Sequence, residues 1–333
     1  METNLSAIRR AEIRARSGFE IVSDPSIKHV RQGFFARVNL EVSGDAPKDF
    51  LRIYEYDRGK KANPNTWPAH IAKVGHKYYP IESVTEHLLT RIGEQLGLNI
   101  ARSRLMWVRG QLRFLSEYFL GRNESLVHGA EIFSGYLAAD RQFVEQVEEM
   151  KMSNEIFTFQ VVEAAVKSRF PEQADEILQE FVRLIAFDAI VGNNDRHFYN
   201  WGVITHVAGD RPPRFSPVYD TARALFWNVT EDGLSEQEHR FEDFLRKYVL
   251  GSYPKTGWDR CKSLNHFDLV LKIFEDRPIY RKTITNLYVE NLLERVQILL
   301  DGEFANLLSP IRKHFISACL KMRLGKYAEI ATI

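Results

Sequence analysis

From Gly33 to about Val74, apolar residues come in short alternating runs: Phe34, Phe35, Val38, Leu40 and Val42, then Phe50, Leu51, Ile53 and Tyr54, then Ile71 and Val74. A period of two broken by turn-rich pieces predicts an antiparallel strand meander, because successive strand side chains face opposite ways. The break at 57–68 carries Gly59, Lys60, Lys61, Asn63, Pro64 and Pro68 and reads as a long exposed hairpin connection. The spacing then turns helical, with Val84, Leu88, Leu89, Ile92 and Leu96 on one side and Gly97 as the stop. A strand pair follows at 105–108 and 112–115, turned by Arg109 and Gly110. Beyond about Glu117 helical periods dominate, over 153–167, 174–190, 285–300 and 304–324.

The fold class expected is therefore α+β, with an N-terminal extension at 1–32, a strand-rich lobe at 33–118 and a helix-rich lobe at 119–333. Such a pair of lobes can sandwich a nucleotide, although the order of elements alone fits any α+β protein. The length of 333 residues suits about two structural units. A content of 44% hydrophobic and 27% charged residues excludes a disordered or low-complexity chain. The 45 Lys and Arg balance 44 Asp and Glu, which argues against a dedicated nucleic-acid binder. Arg9, Arg10, Arg14 and Arg16, and Lys313, Lys321, Arg323 and Lys326, read as solvated helix faces rather than a phosphate track. Two cysteines, Cys261 and Cys319, make no disulfide framework, and no apolar run reaches the roughly 18 residues of a membrane span. The expectation is a soluble, cytoplasmic protein.

GxxxxGK[ST], GxGxxG after a strand, HExxH, CxxC and GxSxG are all missing, which leaves phosphate chemistry only on another scaffold. Val191-Gly192-Asn193-Asn194-Asp195-Arg196-His197-Phe198-Tyr199-Asn200 follows an apolar helix, and Val218-Tyr219-Asp220 comes twenty residues later. Phosphoryl transfer needs a carboxylate near the attacking hydroxyl and hard oxygen ligands for magnesium. Asp195 would orient and deprotonate the acceptor, while Asn200 and Asp220 would hold Mg²⁺. Singly, each residue also fits a turn or a loop cap; together, at this spacing, they favour chemistry.

Lys73, on a strand between apolar positions, would be costly to bury without an anion and is the candidate phosphate cation, with an exposed edge position as the alternative. Glu86, thirteen residues on, suits two compatible roles: holding the Lys73 ammonium, or completing an S-x-x-E capping box with Ser83. Arg196 and His197 are expected to brace the loop, Arg196 by pairing a carboxylate such as Asp188. Phe198, Tyr199, Trp201 and Tyr219 read as packing.

These residues resemble the HipA-like kinases, bacterial protein Ser/Thr kinases that include toxin components of toxin–antitoxin pairs. Gly192 to Gly202 is similar to that family's GNxDRHxxNxG, and Asp220 matches its metal-binding aspartate. Ser43-Gly44-Asp45-Ala46-Pro47-Lys48 resembles the family's phosphate loop, which makes Ser43, Gly44 and Lys48 candidate nucleotide contacts, with Asp49 where a hydrophobic residue is usual. Ile71-Ala72-Lys73-Val74 resembles the nucleotide-lysine strand, and Thr85-Glu86-His87-Leu88-Leu89 its first-lobe helix. Glu117, Tyr118 and Phe119 resemble the lobe connection whose backbone would meet adenine, and Val127 to Phe133 a further segment after it.

The resemblance covers 33–270 and implies a bilobal protein-kinase-like fold, ATP with Mg²⁺, and transfer to a Ser or Thr of a protein. It further implies targets such as an aminoacyl-tRNA synthetase, and restraint by a DNA-binding antitoxin or by autophosphorylation, here of Ser43. The short N-terminal extension is similar to short family forms, whose missing subdomain a separate partner supplies. Two alternatives stay open: a small-molecule or phosphoinositide-type kinase on the same scaffold, and an inactive kinase-like interaction module. The stretch 228–258 would set the acceptor class.

Overall fold

The structure, a computed structural model, describes residues 8, 10–21, 24–31, 33–38, 46–138, 141–150, 152–261 and 263–333. Strands β1 (Phe35–Val38), β2 (Lys48–Ile53) and β3 (Ala69–Lys73) form the expected meander. Helix α1 (Ile81–Gln95) follows, and then the hairpin β4 (Ser103–Val108) and β5 (Gln111–Glu117). The hairpin turn falls at Arg109 and Gly110, both with φ in the left-handed region, at 54° and 72°. β5 rather than β4 pairs with β3, giving an antiparallel sheet in the order β1-β2-β3-β5-β4. The alternation read in the sequence thus sorts two faces. Leu51, Ile53, Ala72, Val108 and Leu115 form an outer cluster with Ile8 and Phe35, while Val74, Leu112 and Phe114 join Val84, Leu88 and Leu89 of α1.

The N-terminal extension lies along this lobe as a strap. Val30 N–H donates to Trp107 O at 2.9 Å, and the Gln111 side-chain amide bonds both backbone groups of Ala11, at 2.9 and 2.7 Å. The strap also reaches the second lobe, where Glu231 N–H donates to Ser17 O at 2.8 Å and Asn306 Nδ2 to Asp24 Oδ2 at 3.2 Å.

The chain crosses at 118–123 into a small sheet of β6 (Glu124–His128), β7 (Gly202–His206) and β8 (Arg214–Phe215), which the sequence reading did not separate from the helical part. Helices α2 (Gly129–Leu137), α3 (Arg141–Glu149), α4 (Ser153–Ile156) and α5 (Phe159–Arg169) precede the central helix α6 (Ala174–Val191). The helix expected over 153–167 breaks because Thr158 caps a new start, its hydroxyl accepting from Val161 N–H at 3.4 Å. After β8 come α7 (Glu231–Ser235), α8 (Phe241–Leu250), α9 (His266–Asp276), α10 (Arg281–Leu287), α11 (Leu292–Asp301) and α12 (Pro310–Ala331). α12 begins later than expected because Ser309 caps it and Pro310 takes its first turn, where a missing N–H costs nothing.

α6 shows a polar face only in its first half, at Asp175, Glu176 and Gln179, and from Leu184 onward is buried on every side, as befits a helix that packs against α5, α9, α10, α12 and β8. Below its C-terminus Phe133, Phe157 and Phe198 meet with ring centroids 4.4–4.7 Å apart, and Phe181 meets Trp201 at 4.7 Å. Aromatic pairs in such geometry add ~0.5–1.5 kcal/mol each beyond burial. Phe198 and Trp201 flank Tyr199 and Asn200, so the packing of the lobe holds the candidate loop from both ends. Among the described residues no helix is long and apolar enough to cross a membrane.

Candidate active site

The sheet register accounts for the cations. Lys48 and Lys73 are direct cross-strand partners and therefore share the inner face. Like charges so placed repel unless anions lie between or beside them, and two carboxylates do. Lys73 Nζ stands 2.7 Å from Glu86 Oε1 and 3.0 Å from Asp220 Oδ1. Lys73 and Glu86 are buried, while the Asp220 side chain, 37% exposed, opens to solvent between the lobes. Glu86 takes the ion-pairing role rather than the capping box. α1 starts at Ile81, two residues ahead of Ser83, and the Ser83 hydroxyl accepts from Gly75 N–H at 3.0 Å instead.

Burial alone would discharge the Lys73 ammonium, but Asp220 and Glu86 outweigh it and hold its pKa above the ordinary lysine value. Burial lifts Glu86 to about 7, an effect that Lys73 only partly offsets. For Asp220 the partial loss of solvent beside Lys73 acts upward too, yet the charge of Lys73, helped by Lys48, brings it down to about 2. Asp220 therefore stays anionic, and its backbone adopts left-handed φ of 55°, which aspartate tolerates better than most residues.

Asp49 sits on the opposite face from Lys48, where Arg37 Nε pairs with it at 2.9 Å and the buried Arg113 bonds its other oxygen. Its charge is thus neutralised behind the sheet, away from the inner cleft. Ser43 and Gly44, with the rest of the stretch 39–45, lie outside the described residues.

The candidate catalytic loop is built around Asp188 near the end of α6. Arg196 donates to both Asp188 oxygens, at 2.9 and 3.1 Å, and Asn193 Nδ2 to one of them at 3.0 Å. All three residues are buried. The same guanidinium donates through Nη1 to Asn200 O at 2.9 Å and Tyr219 O at 2.7 Å. One nitrogen thereby ties together the two segments that carry the candidate metal ligands, in the bracing role expected of Arg196. Asn200 Nδ2 donates to Asp195 O at 2.8 Å, which turns the amide so that Oδ1 is left to bind a cation.

A carboxylate and an amide oxygen are hard donors that suit Mg²⁺, an ion that keeps waters and leans on substrate phosphates. Among the described residues no cluster of three or more His, Cys, Asp or Glu could hold a metal by itself. The donor set fits a metal that arrives with a phosphate ligand.

At the lobe crossing Tyr118 N–H donates to Ala69 O at 2.8 Å, whereas Phe119 N–H finds no partner among the described residues. Phe50 meets Tyr118 edge-on at 5.0 Å, and Phe119 meets Tyr219 at 5.7 Å. The Glu117 carboxylate is taken by Arg58 of the β2–β3 connection and its N–H donates to Arg102 O at 2.8 Å, so only its carbonyl is left to face a base.

Three arginines of the site escaped sequence reasoning. Arg223 pairs with Asp195, Nε to Oδ2 at 2.9 Å. Arg312 donates to Glu231 Oε1 at 2.6 Å and to Phe226 O at 2.9 Å, fixing the segment beyond Asp220. Arg323, expected on a solvated face, is fully buried, which overturns that expectation. It donates to Ala189 O at 2.9 Å and Val249 O at 3.3 Å and lies over the Phe267 ring. Those carbonyls belong to the last turns of α6 and α8, whose negative dipole ends stabilise a buried cation in place of a carboxylate. By contrast Arg10, Arg14 and Arg16 are exposed but lie in non-helical chain rather than on the expected helix face, while Lys321 and Lys326 are exposed on α12. The signal for the buried pair was present, since residues 312 and 323 fall in step with the apolar positions Ile316, Leu320, Tyr327 and Ile330.

Solved structures share the fold, among them two kinase-family proteins. CtkA, a proinflammatory kinase of Helicobacter pylori, superposes with a TM-score of 0.70 at 15% identity, over 92% of this chain and 96% of its own. HipA of Shewanella oneidensis MR-1, from a toxin–antitoxin complex with HipB and operator DNA, gives 0.50 at 16% identity, over 93% of this chain and 68% of its own. No curated protein matches in sequence. Residues 40–264 match the HipA-like C-terminal domain, and with more than half of its length so covered the chain belongs to the HipA-like family.

Proposed function

We propose that the protein is an ATP- and Mg²⁺-dependent Ser/Thr protein kinase of the HipA-like type. The observation that carries the reading is the Lys73 ammonium held between Glu86 of the first lobe and Asp220 of the second. A buried cation flanked by one fixed carboxylate and one solvent-open carboxylate is suited to receive phosphate oxygens when the open one turns to a metal.

In this reading Lys73 and Lys48 meet the phosphates, and Phe119 N–H with the Glu117 carbonyl meets the adenine edge. Asn200 Oδ1 and Asp220 hold the metal, which when bound neutralises charge on the phosphates. Asp195 receives the proton of the acceptor hydroxyl as its oxygen bonds to the γ-phosphorus and the bond to ADP breaks. Ser43 and Gly44 would close over the phosphates, with Ser43 a site of self-phosphorylation. The acceptor class proposed is a Ser or Thr of a translation-related protein, such as an aminoacyl-tRNA synthetase, and the regulatory partner an antitoxin. The intact set of charged residues argues against the inactive-module alternative.

Incubation with radiolabelled ATP and Mg²⁺ should place phosphate on the protein itself or on extract proteins, and Asp195→Ala should slow the labelling by ~10²–10⁴-fold while leaving a measurable residue. Absence of label, with the variant behaving identically, would reject the reading.

A further inference from the structure

Arg223 is a residue that the steps above leave without a task, and its placement is specific. Its Nε lies 2.9 Å from Asp195 Oδ2, with the two side chains 33% and 27% exposed. Its own carbonyl accepts Asn194 N–H at 3.2 Å, so backbone as well as side chain joins it to the catalytic loop. The guanidinium lies over the Trp227 ring at 4.9 Å, and Trp227 meets Tyr78 of the first lobe edge-on at 5.7 Å. Asp195 Oδ1 has no hydrogen-bond partner among the described residues.

A carboxylate on a partly exposed loop ordinarily turns among several rotamers, and each turn removes the oxygen that must meet the acceptor proton. A guanidinium is planar, always charged and offers its N–H groups in a rigid fork, so a bond to one oxygen decides where the other points. Stacking on Trp227 restricts the arginine in turn.

We propose that Arg223 is a positioning residue. It holds Asp195 by Oδ2 so that Oδ1 is presented to the acceptor hydroxyl, and Trp227 is the platform that keeps it there. The inference rests on Asp195 being the acceptor-side base.

The test is a mutant cycle on the intact protein, with label transfer from ATP as one readout and a crystal structure as the other. Arg223→Ala should lower kcat by ~10–100-fold, the scale of an ångström-level misplacement, with KM for ATP within about twofold of the parent. Millimolar guanidinium chloride should restore part of the loss, and Arg223→Lys a smaller part. In an Asp195→Ala background Arg223→Ala should cost nothing more, because the group through which it acts is gone.

A crystal of Arg223→Ala should show Asp195 in more than one rotamer. A single unchanged rotamer, an undiminished kcat, or an equal loss in the Asp195→Ala background overturns the proposal. A parent protein that binds ATP yet transfers nothing, even after long incubation, rejects the kinase reading and the role of Arg223 with it.

Discussion

Replacing Gly192 with alanine would drive a methyl group into a side chain with nowhere to retreat. Gly192 ends α6 with φ of 79°, where an L-residue pays about 1 kcal/mol in backbone strain. A Cβ there would lie 2.9 Å from Arg323 Cζ and Nη1, well inside van der Waals contact. Arg323 is fully buried, so a shift to relieve the contact disturbs its bonds to Ala189 O and Val249 O. Hydrogen bonds from a charged group are worth ~1.5–3 kcal/mol, and losing the equivalent of one brings the total to about 3 kcal/mol. For a lobe of this size that corresponds to a fall in Tm of ~6–12 °C.

Gly325→Ala supplies the control of opposite sign. It sits exposed within α12, a Cβ there meets nothing within 4 Å, and helix propensity favours alanine by ~0.5–1 kcal/mol. Urea and thermal unfolding of both variants, followed by far-UV circular dichroism, decide the matter. A Gly192→Ala protein within about 0.5 kcal/mol of the parent would refute the role given to Arg323. In the double variant Gly192→Ala/Arg323→Met the two costs should fall short of their sum, because the clash and the lost bonds involve the same atoms.

Two further outcomes follow from the buried charges. Burial, reinforced by Arg104, pushes His70 from 6.5 down to about 4, so its ring stays neutral in the fold. Since the folded value is the lower one, this contribution is whole above pH 6.5 and drains away as pH falls from 6.5 towards 4, by at most about 3 kcal/mol. Urea midpoints of His70→Gln should decline less steeply than the parent over that window, and parallel slopes would contradict the argument. Asp188→Asn strips the buried Arg196 of its counter-charge and should cost ~3–5 kcal/mol in chemical denaturation. A cost below ~1 kcal/mol would mean that Arg196 can reach water.

Much of the first lobe was legible because two-residue alternation reports directly which face of a sheet is buried. The same alternation explains Asp49, whose charge looks out of place beside Lys48 only until the two are assigned to opposite faces. Lys73 could be picked out because a charged residue between apolar positions is costly unless used, and Asp195, Asn200 and Asp220 because their spacing together suits phosphoryl transfer. The role of Glu86 was not decidable from spacing, since S-x-x-E suits a cap as well as an ion pair. The choice turned on where α1 begins, and helix starts are weakly encoded when, as at Pro80, no side-chain cap marks them. Arg223 left no trace, because its partner lies 28 positions back along a stretch that turns through left-handed backbone at Asp220, which spacing alone does not reveal. Arg323 was misjudged for a different reason: charge alone suggested a solvated face, whereas its place in the apolar stripe of α12 said otherwise.

α12 also sets an order of events. A nascent chain that has grown to Leu308 already contains Lys73, Glu86, Asp195, Asn200 and Asp220. It lacks Arg312, which fixes the segment past Asp220, and Arg323, which fixes the end of α6 from which the candidate loop departs. Until those two residues leave the ribosome, both halves of the site are without their anchors. A chain broken off ahead of α12 would thus carry every charged residue of the candidate site and still lack the scaffold that aligns them.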